Sequence, residues 1–179
     1  VEDEADRARM AETIDEMNRM LDDILSLARM GRSSEPMTET DLAALIDAVV
    51  DDFDALDAPV SLEEAPRTVL RLRPSLMRRA LRNLIENAVK YAGGAEVRMV
   101  TDARFVRVEV ADRGPGIPEA DLKRVFDAFT RLEGSRSRET GGAGLGLSLA
   151  RAIAREAGGD ILLRNREGGG LIATLQLPR

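Results

Sequence analysis

Hydrophobic positions in the first 30 residues recur with alternating spacings of four and three. The repeat consists of Met10, Ile14, Met17, Leu21, Ile24 and Ala28. This spacing is typical of a helix with a narrow apolar seam, as in a coiled coil or helical bundle. No Gly or Pro interrupts residues 1–30. We therefore predict one long helix that packs on another helix; the alternative is a helix lying on its own domain.

Helical and strand patterns alternate after a linker at residues 31–37, where Gly31, Ser33 and Pro36 are typical helix-stop and loop residues. The predicted helices cover residues 38 or 40 to 53, 74–91, 119–126 and 145–157. The predicted strands cover residues 60–62, 68–72, 95–101, 105–112, 161–165 and 171–177. The last four strands look like hairpins rather than crossover connections. The pattern therefore predicts an α+β fold, a two-layer sandwich with helices on one face of one mixed sheet.

The amino-acid composition excludes several kinds of catalytic chemistry but says less about the fold. The 179 residues are 44% hydrophobic and 32% charged, as in globular proteins, and contain neither Cys nor His. Thiol nucleophiles, Ser-His-Asp catalysis and imidazole metal sites are therefore excluded. A net charge of −6 argues against a nucleic-acid partner, and no apolar run is long enough to cross a membrane. Because the first residue is Val1, we expect a fragment or a processed chain.

The predicted helix over residues 74–91 has two distinct faces. Its apolar stripe consists of Met77, Leu81, Leu84, Ile85 and Ala88. A second stripe, at spacings i, i+3, i+4 and i+7, consists of Asn83, Glu86, Asn87 and Lys90. Asn is a poor helix former, so two in mid-helix beside Glu and Lys indicate a metal and phosphate site. The alternative is an ordinary solvated face.

The strand that ends at Asp112 places a carboxylate on its buried face. Val106, Val108 and Val110 alternate with charged residues, and Asp112 continues their parity. A buried carboxylate needs hydrogen-bond donors. The following glycines and prolines, residues 114–118, let the backbone approach a flat ligand closely. The alternative is an Asx turn at a strand end.

A glycine-rich segment, Gly141 to Gly146, precedes the last predicted helix, so its N–H groups could meet an anion. It is not a Walker A loop, because no Lys-Ser/Thr pair follows the glycines, and it lacks the dinucleotide-binding spacing. By itself this segment is a weak signal, and a flexible hinge is the alternative.

Together these segments resemble the Bergerat-fold ATPases and kinases over residues 38–179. Residues 83–91 resemble the N box, 112–117 the first glycine box, 126–129 the F box and 142–147 the second glycine box. Among these proteins the sensor histidine kinases, of the osmosensor type, fit best. Residues 1–30 resemble the second helix of their dimerisation and phosphotransfer bundle. The resemblance implies a Bergerat-fold catalytic ATP-binding domain at 38–179.

For the phosphate end of ATP, the resemblance implies that Asn87 holds Mg²⁺ with help from Asn83. Lys90 and Arg131 would meet phosphate oxygens, and Glu86 is the carboxylate of the N box that could poise a nucleophile. Catalysis would then consist mainly of positioning and charge neutralisation of the γ-phosphoryl group.

For the base, the resemblance implies that Asp112 accepts from the adenine amino group. Tyr91 and Ile117 would flank the nucleotide, and Gly114 and Gly116 would shape the pocket.

The resemblance also implies that residues 131–144 form a mobile ATP lid between the F box and the last helix. The remaining nucleotide-binding residues that it implies are Phe126, Gly142, Gly144, Leu145 and Gly146.

The chain departs from the family in having no His to receive the phosphoryl group. We therefore expect a catalytic portion that binds ATP but cannot phosphorylate itself. The resemblance implies a parent protein that dimerises through the bundle helices and serves a response regulator. We expect a cytoplasmic location, with any membrane-bound sensor upstream. The alternatives are a nucleotide-binding regulatory module, an anti-sigma-type Ser kinase, or a hydrolase, which Asn83 disfavours because hydrolases carry a Glu there.

Overall fold

The computed structural model describes residues 2–28, 34–128 and 144–179. The α-helices are α1 (Glu2–Ala28), α2 (Leu42–Asp54), α3 (Pro74–Ala92) and α4 (Gly146–Glu156). The strands are β1 (Thr38–Asp41), β2 (Val60–Leu62), β3 (Val69–Leu72), β4 (Ala95–Thr101), β5 (Phe105–Ala111), β6 (Asp160–Asn165) and β7 (Leu171–Pro178). None of the helices in the described part of the chain is long and apolar enough to span a bilayer.

The main sheet has five strands in the order β2-β4-β5-β7-β6. β2 runs parallel to β4, and the other neighbours are antiparallel, so the sheet is mixed as predicted. A second sheet was not predicted: β1 and β3 pair antiparallel with each other, apart from the main sheet. The expectation of a single sheet is therefore wrong.

Alternation along β5 builds the core between sheet and helices. Val106, Val108 and Val110 are at most 2% exposed and face the apolar side of α3, where Leu81 and Ile85 are fully buried. The apolar stripe predicted for α3 is thus the face that packs, which leaves its Asn-rich face at the edge of the core. This division positions the candidate site.

The predicted start of α2, at residue 38 or 40, is wrong because a short strand occupies these positions. Residues 38–41 are extended and pair with β3, with Asp41 opposite Val69 in register. The helix begins at Leu42, where Asp41 caps it by accepting a hydrogen bond from the Ala43 N–H. Asp is a favoured cap residue, and pairing with β3 holds the preceding residues outside the helix.

The helix predicted over residues 119–126 is replaced by two short 3₁₀ turns, Glu119–Asp121 and Arg124–Phe126. Val125 is the one buried residue of this stretch. A segment with so little apolar surface gains too little from packing to sustain a longer helix. The other predicted helices and the remaining strands agree with the structure to within two residues.

Helix α1 is exposed along its seam and docked near its C-terminal end. Met10 is 65% and Leu21 54% exposed. Toward the end of the helix, Asp23 accepts a hydrogen bond from Arg79 of α3 at 2.8 Å, and Leu27 packs against the core. The helix thus does lie on the domain at one end, and the pairing of its seam with another helix stays a prediction.

Candidate functional site

The polar stripe of α3 lies where predicted, half-buried along the rim of the core. Asn83 stands at one end of the stripe, and its Nδ2 donates to the carbonyl oxygen of Gly146 at 3.3 Å. Because Gly146 begins α4, this contact joins the N box to the second glycine box. The site therefore brings together two motifs separated by 63 residues of chain.

The carboxylate of Glu86 is engaged within the helix. Arg82, one turn earlier, donates to Glu86 Oε1 at 2.9 Å, and Arg82 also lies 3.6 Å from a carboxylate oxygen of Asp52 on α2. Both side chains of the Arg82–Glu86 pair are about 40% exposed, so solvent weakens the pair. The structure therefore gives Glu86 a local partner that any catalytic role would have to displace.

Asn87 and Lys90 occupy the centre and end of the stripe. The Lys90 ammonium lies 5.4 Å from the centroid of the Tyr91 ring, and that ring is 45% exposed. No side-chain hydrogen bond of Asn87 occurs within residues 2–28, 34–128 and 144–179. An amide oxygen with no competing donor is a suitable ligand for Mg²⁺, which in nucleotide sites takes few protein ligands and several phosphate oxygens.

Asp112 is buried, 7% exposed, as its parity predicted. Its Oδ1 accepts from the N–H groups of Gly114 at 2.8 Å and Leu171 at 3.1 Å. The first bond closes an Asx turn, so the alternative stated for Asp112 is confirmed, and its binding of a ligand stays a prediction. Both side-chain bonds that the described residues make to Asp112 go to Oδ1, so Oδ2 is the carboxylate oxygen that could accept from a ligand.

The first glycine box packs against the end of α3. A Cβ on Gly114 would lie 3.2 Å from the carbonyl oxygen of Tyr91 and 3.1 Å from the Cβ of Ala92. Gly116 has a φ of +71°, a conformation that favours glycine. The half-buried Ile117 follows. The polar stripe of α3 therefore runs from the second glycine box at Asn83 to the first at Tyr91, about 12 Å at 1.5 Å per residue.

The β6–β7 hairpin end supports this loop, a contact that the sequence pattern does not predict. Asn165 exchanges two hydrogen bonds with the main chain of Ile117, and Leu171 holds Asp112 through both main-chain and side-chain bonds. The sequence predicts Asn165 only as the last residue of a strand. Its signal was only that of a turn-forming residue, which names no partner.

A charged cluster lies beside Asp112. Arg166 donates to the main-chain oxygen of Asp112 and to Glu96, which also pairs with Arg113. Hydrogen bonds from Arg166 and then Arg113 hold the pKa of Glu96 below its ordinary value. The cluster fixes the chain that immediately follows β5.

Phe126 of the F box is held by α4. Its half-buried ring lies under the Arg151 guanidinium, 4.2 Å from the ring centroid, and Arg151 also donates to both carboxylate oxygens of Asp160. The hydrogen bond from Arg151, followed by those from Arg155 and the Ile161 N–H, lowers the pKa of Asp160 to about 2.

Of the second glycine box, the described residues begin at Gly144. Gly144 has a φ of +69°, Gly146 begins α4, and the Leu145 side chain is only 2% exposed. Leu145 could therefore contact a nucleotide only through its main chain. The predicted site residues Arg131 and Gly142, like Phe129 and most of the predicted lid, lie outside the described residues.

This arrangement suits a ligand with a flat polar end and an anionic end. Asp112 offers an acceptor beside a glycine loop near the end of α3, and at the other end of the polar stripe the start of α4, which Asn83 contacts, can offer main-chain N–H groups. No cluster of three or more acidic residues that would hold a metal occurs in the described ranges.

The family model described as histidine kinase-, DNA gyrase B- and HSP90-like ATPase matches residues 73–179, more than half of the chain. The chain belongs to this family of ATP-binding domains.

Curated relatives show which members of this family the chain resembles. The chain is 31% identical over its full length to the sensor histidine kinase GtrS of Pseudomonas aeruginosa, of which the match covers 37%. It is 38% identical over 168 residues, 91% of the chain, to the signal transduction histidine-protein kinase AfsQ2 of Streptomyces coelicolor, of which it covers 31%. These matches confirm the resemblance to the catalytic ATP-binding domain of sensor histidine kinases. The chain spans about a third of the length of these relatives.

Solved structures agree with the fold. The ATP-binding domain of PrrB from Mycobacterium tuberculosis superposes with a TM-score of 0.66 at 29% identity, covering 79% of this chain and 96% of that one. Full-length ShkA in complex with AMPPNP superposes with a TM-score of 0.77 over 99% of this chain and 39% of that one, at 24% identity. The second likeness includes α1 in the shared fold.

Proposed function

We propose that this chain is the catalytic portion of a two-component sensor histidine kinase, which positions Mg-ATP for transfer of the γ-phosphoryl group to a His on another segment. The observation that carries the proposal is the polar stripe of α3, which connects the buried Asp112 at one end with the start of α4 at the other. Family membership makes ATP the expected ligand of such a site.

At the base end, we assign Asp112 as the acceptor for the adenine amino group. Its Oδ1 already accepts from two N–H donors, so we assign Oδ2 as the oxygen that meets the amino group. Tyr91 and Ile117 flank this position, and Gly114 and Gly116 keep the loop low enough for a base to approach. Guanine, which presents a carbonyl where adenine has its amino group, would meet a carboxylate there.

At the phosphate end, Asn87 would hold Mg²⁺ together with phosphate oxygens, and Asn83 would assist. The metal would neutralise charge on the transferred group. Lys90 and the main-chain N–H groups at the start of α4 add positive potential on the same side. The chain's own contribution is thus to bind and orient the triphosphate.

Glu86 is proposed to act on the nucleophile only after its pair with Arg82 opens. Asn83 stands where hydrolases of the family carry the water-activating Glu, and it donates its amide to Gly146. An amide cannot take a proton from water, so we expect slow hydrolysis.

The dimer, the response regulator and the location follow from the relatives' class rather than from this chain. We propose that α1 is the second helix of the dimerisation bundle, because its seam of Met10, Ile14, Met17 and Leu21 is exposed. A homodimer, a response regulator partner, a cytoplasmic catalytic domain with any membrane sensor elsewhere in the parent, and domain limits at 1–30, 31–37 and 38–179 complete the proposal.

The test is phosphoryl transfer in trans. The chain is incubated with labelled Mg-ATP and a separate two-helix bundle that carries the His of a relative. We expect acid-labile, base-stable label on the bundle and none on this chain. Acid-stable label on Ser or Thr would contradict the proposal and favour an anti-sigma-type kinase. In the same assay, Glu86→Gln tests the proposed role of Glu86. Its matched control is Asp51→Asn, which changes an exposed carboxylate on α2.

A further inference from the structure

The side-chain amide of Asn165 makes the two hydrogen bonds that a residue of a neighbouring strand would make. Its Oδ1 accepts from the Ile117 N–H at 2.9 Å, and its Nδ2 donates to the Ile117 carbonyl oxygen at 2.7 Å. Two bonds to the N–H and C=O of one residue are the pairing that an antiparallel strand gives. The amide therefore fixes both the position and the orientation of the Ile117 peptide groups.

The same hairpin end also holds the start of the loop. Asn165 stands opposite Leu171 in the β6–β7 register. Leu171 accepts from the Asp112 N–H at 2.9 Å and donates to its Oδ1 at 3.1 Å. Residues 112 and 117, the two ends of the first glycine box, are therefore fastened to one pair of facing residues.

The loop between these ends fits closely against Asn165. A Cβ on Gly116 would lie 2.7 Å from Asn165 Oδ1, closer than side-chain atoms approach. The positive φ of Gly116 turns the chain so that the Ile117 N–H meets that oxygen. The shape of the loop and the amide of Asn165 thus depend on each other.

We propose that Asn165 is a positioning residue for base recognition, which sets the distance between Ile117 and Asp112 across the adenine site. This inference rests on the proposed function, because it assumes that a nucleotide base enters between them. Loss of the clamp would let the Ile117 end of the loop move while Asp112 stays fixed by Leu171. The affinities for ATP and ADP would fall together, and the ratio of ATP affinity to GTP affinity would become smaller.

Asn165 is exposed, so its replacement should leave the fold intact. Two substitutions separate the roles of its two bonds. Asn165→Ala removes both, and Asn165→Asp keeps the acceptor while placing a second oxygen against the Ile117 carbonyl oxygen. Arg164→Ala, on the preceding exposed residue of β6, changes the net charge by the same −1 as Asn165→Asp and is the matched control.

The experiment is calorimetric titration of the full chain and these variants with Mg-ATP, Mg-ADP and Mg-GTP, alongside thermal melting and the NMR exchange rate of the Ile117 amide. We expect about tenfold weaker ATP and ADP binding for both Asn165 variants, which is a loss of about 1.4 kcal/mol in binding free energy. Arg164→Ala should stay within twofold, melting temperatures should agree within about 2 °C, and the Ile117 amide should exchange faster in Asn165→Ala.

Two results would overturn the inference alone: wild-type ATP affinity in Asn165→Asp, or a large drop in melting temperature in Asn165→Ala without a change in the ATP-to-GTP ratio. The second would mean a structural role only. A wild-type chain that binds no ATP would refute the proposed function, and with it this inference, so the two failures are distinguishable in one titration series.

Discussion

The Arg151–Asp160 pair offers a measurable test of how α4 is held beside Phe126. Asp160 accepts from Arg151 at 2.7 and 3.2 Å, from Arg155 at 3.3 Å, and from the Ile161 N–H at 2.8 Å. Asp160→Asn keeps an oxygen for the main chain but removes the charge that both Arg side chains face. We expect the variant to fold with lower stability and with a less tightly held Phe126 ring.

The magnitude follows from the pKa of Asp160, which hydrogen bonding lowers from 3.8 to about 2. The difference between a pKa of 3.8 and one of about 2 corresponds to at most about 2.4 kcal/mol. The Asp160 side chain is 32% exposed, so solvent screening reduces the effect to about 1–2 kcal/mol. In a domain of this size that lowers the melting temperature by about 3–6 °C.

The pH dependence has a definite sign. Because the folded-state pKa is lowered, the stabilisation by Asp160 is present above its unfolded pKa near 3.8 and is lost as pH falls toward about 2. The free energies of unfolding of wild type and Asp160→Asn should therefore differ fully at pH 6 and by only about half as much at pH 3.

Urea unfolding of both proteins from pH 6 to pH 2.5 measures this difference, and Asp51→Asn, an exposed carboxylate on α2, is the control that should change little. Equal stability of wild type and Asp160→Asn at pH 6 would refute the reasoning. So would a difference that persists undiminished at pH 2.5.

Three further outcomes are expected. Asn87→Ala should abolish the gain in ATP affinity that Mg²⁺ provides while leaving metal-independent binding in place, as titrations with and without Mg²⁺ would show. Arg79→Ala, which removes the hydrogen bond to Asp23 of α1, should increase amide exchange in residues 20–28 without weakening ATP binding by more than about twofold. Deletion of residues 1–30 should lower the melting temperature only slightly and leave ATP binding intact, because the contacts of α1 with the domain that the described residues show lie near the end of the helix. Unfolding of the shortened chain would contradict this.

Local periodicity predicted the parts of the site that depend on which face a side chain occupies. The parity of Asp112 with Val108 and Val110 follows from the pleat of β5 and requires no knowledge of the partner strand. The polar stripe that includes Asn83 and Asn87 likewise follows from 3.6 residues per turn. Both were confirmed because the core selects the apolar face in each element.

Contacts between distant segments could not be predicted in the same way. The clamp of Asn165 on Ile117 and the stacking of Arg151 on Phe126 depend on the register of β6 and on where α4 packs. Strand β1 escaped prediction for the same reason, since its four residues are extended only because β3 lies alongside. Pairing across long stretches of chain is decided by tertiary packing, and a single sequence carries little trace of it.

The central claim, that Asp112 reads adenine in an ATP site, is tested most directly by titrating wild type and Asp112→Asn with Mg-ATP and Mg-GTP in one calorimetric series. The buried acceptor would become a group that also presents donors, at a position that is 7% exposed. We predict that wild type binds ATP much more tightly than GTP, and that Asp112→Asn loses at least about tenfold, or about 1.4 kcal/mol, of ATP affinity. Equal binding of the two nucleotides by wild type, or unchanged ATP affinity in Asp112→Asn, would contradict the account.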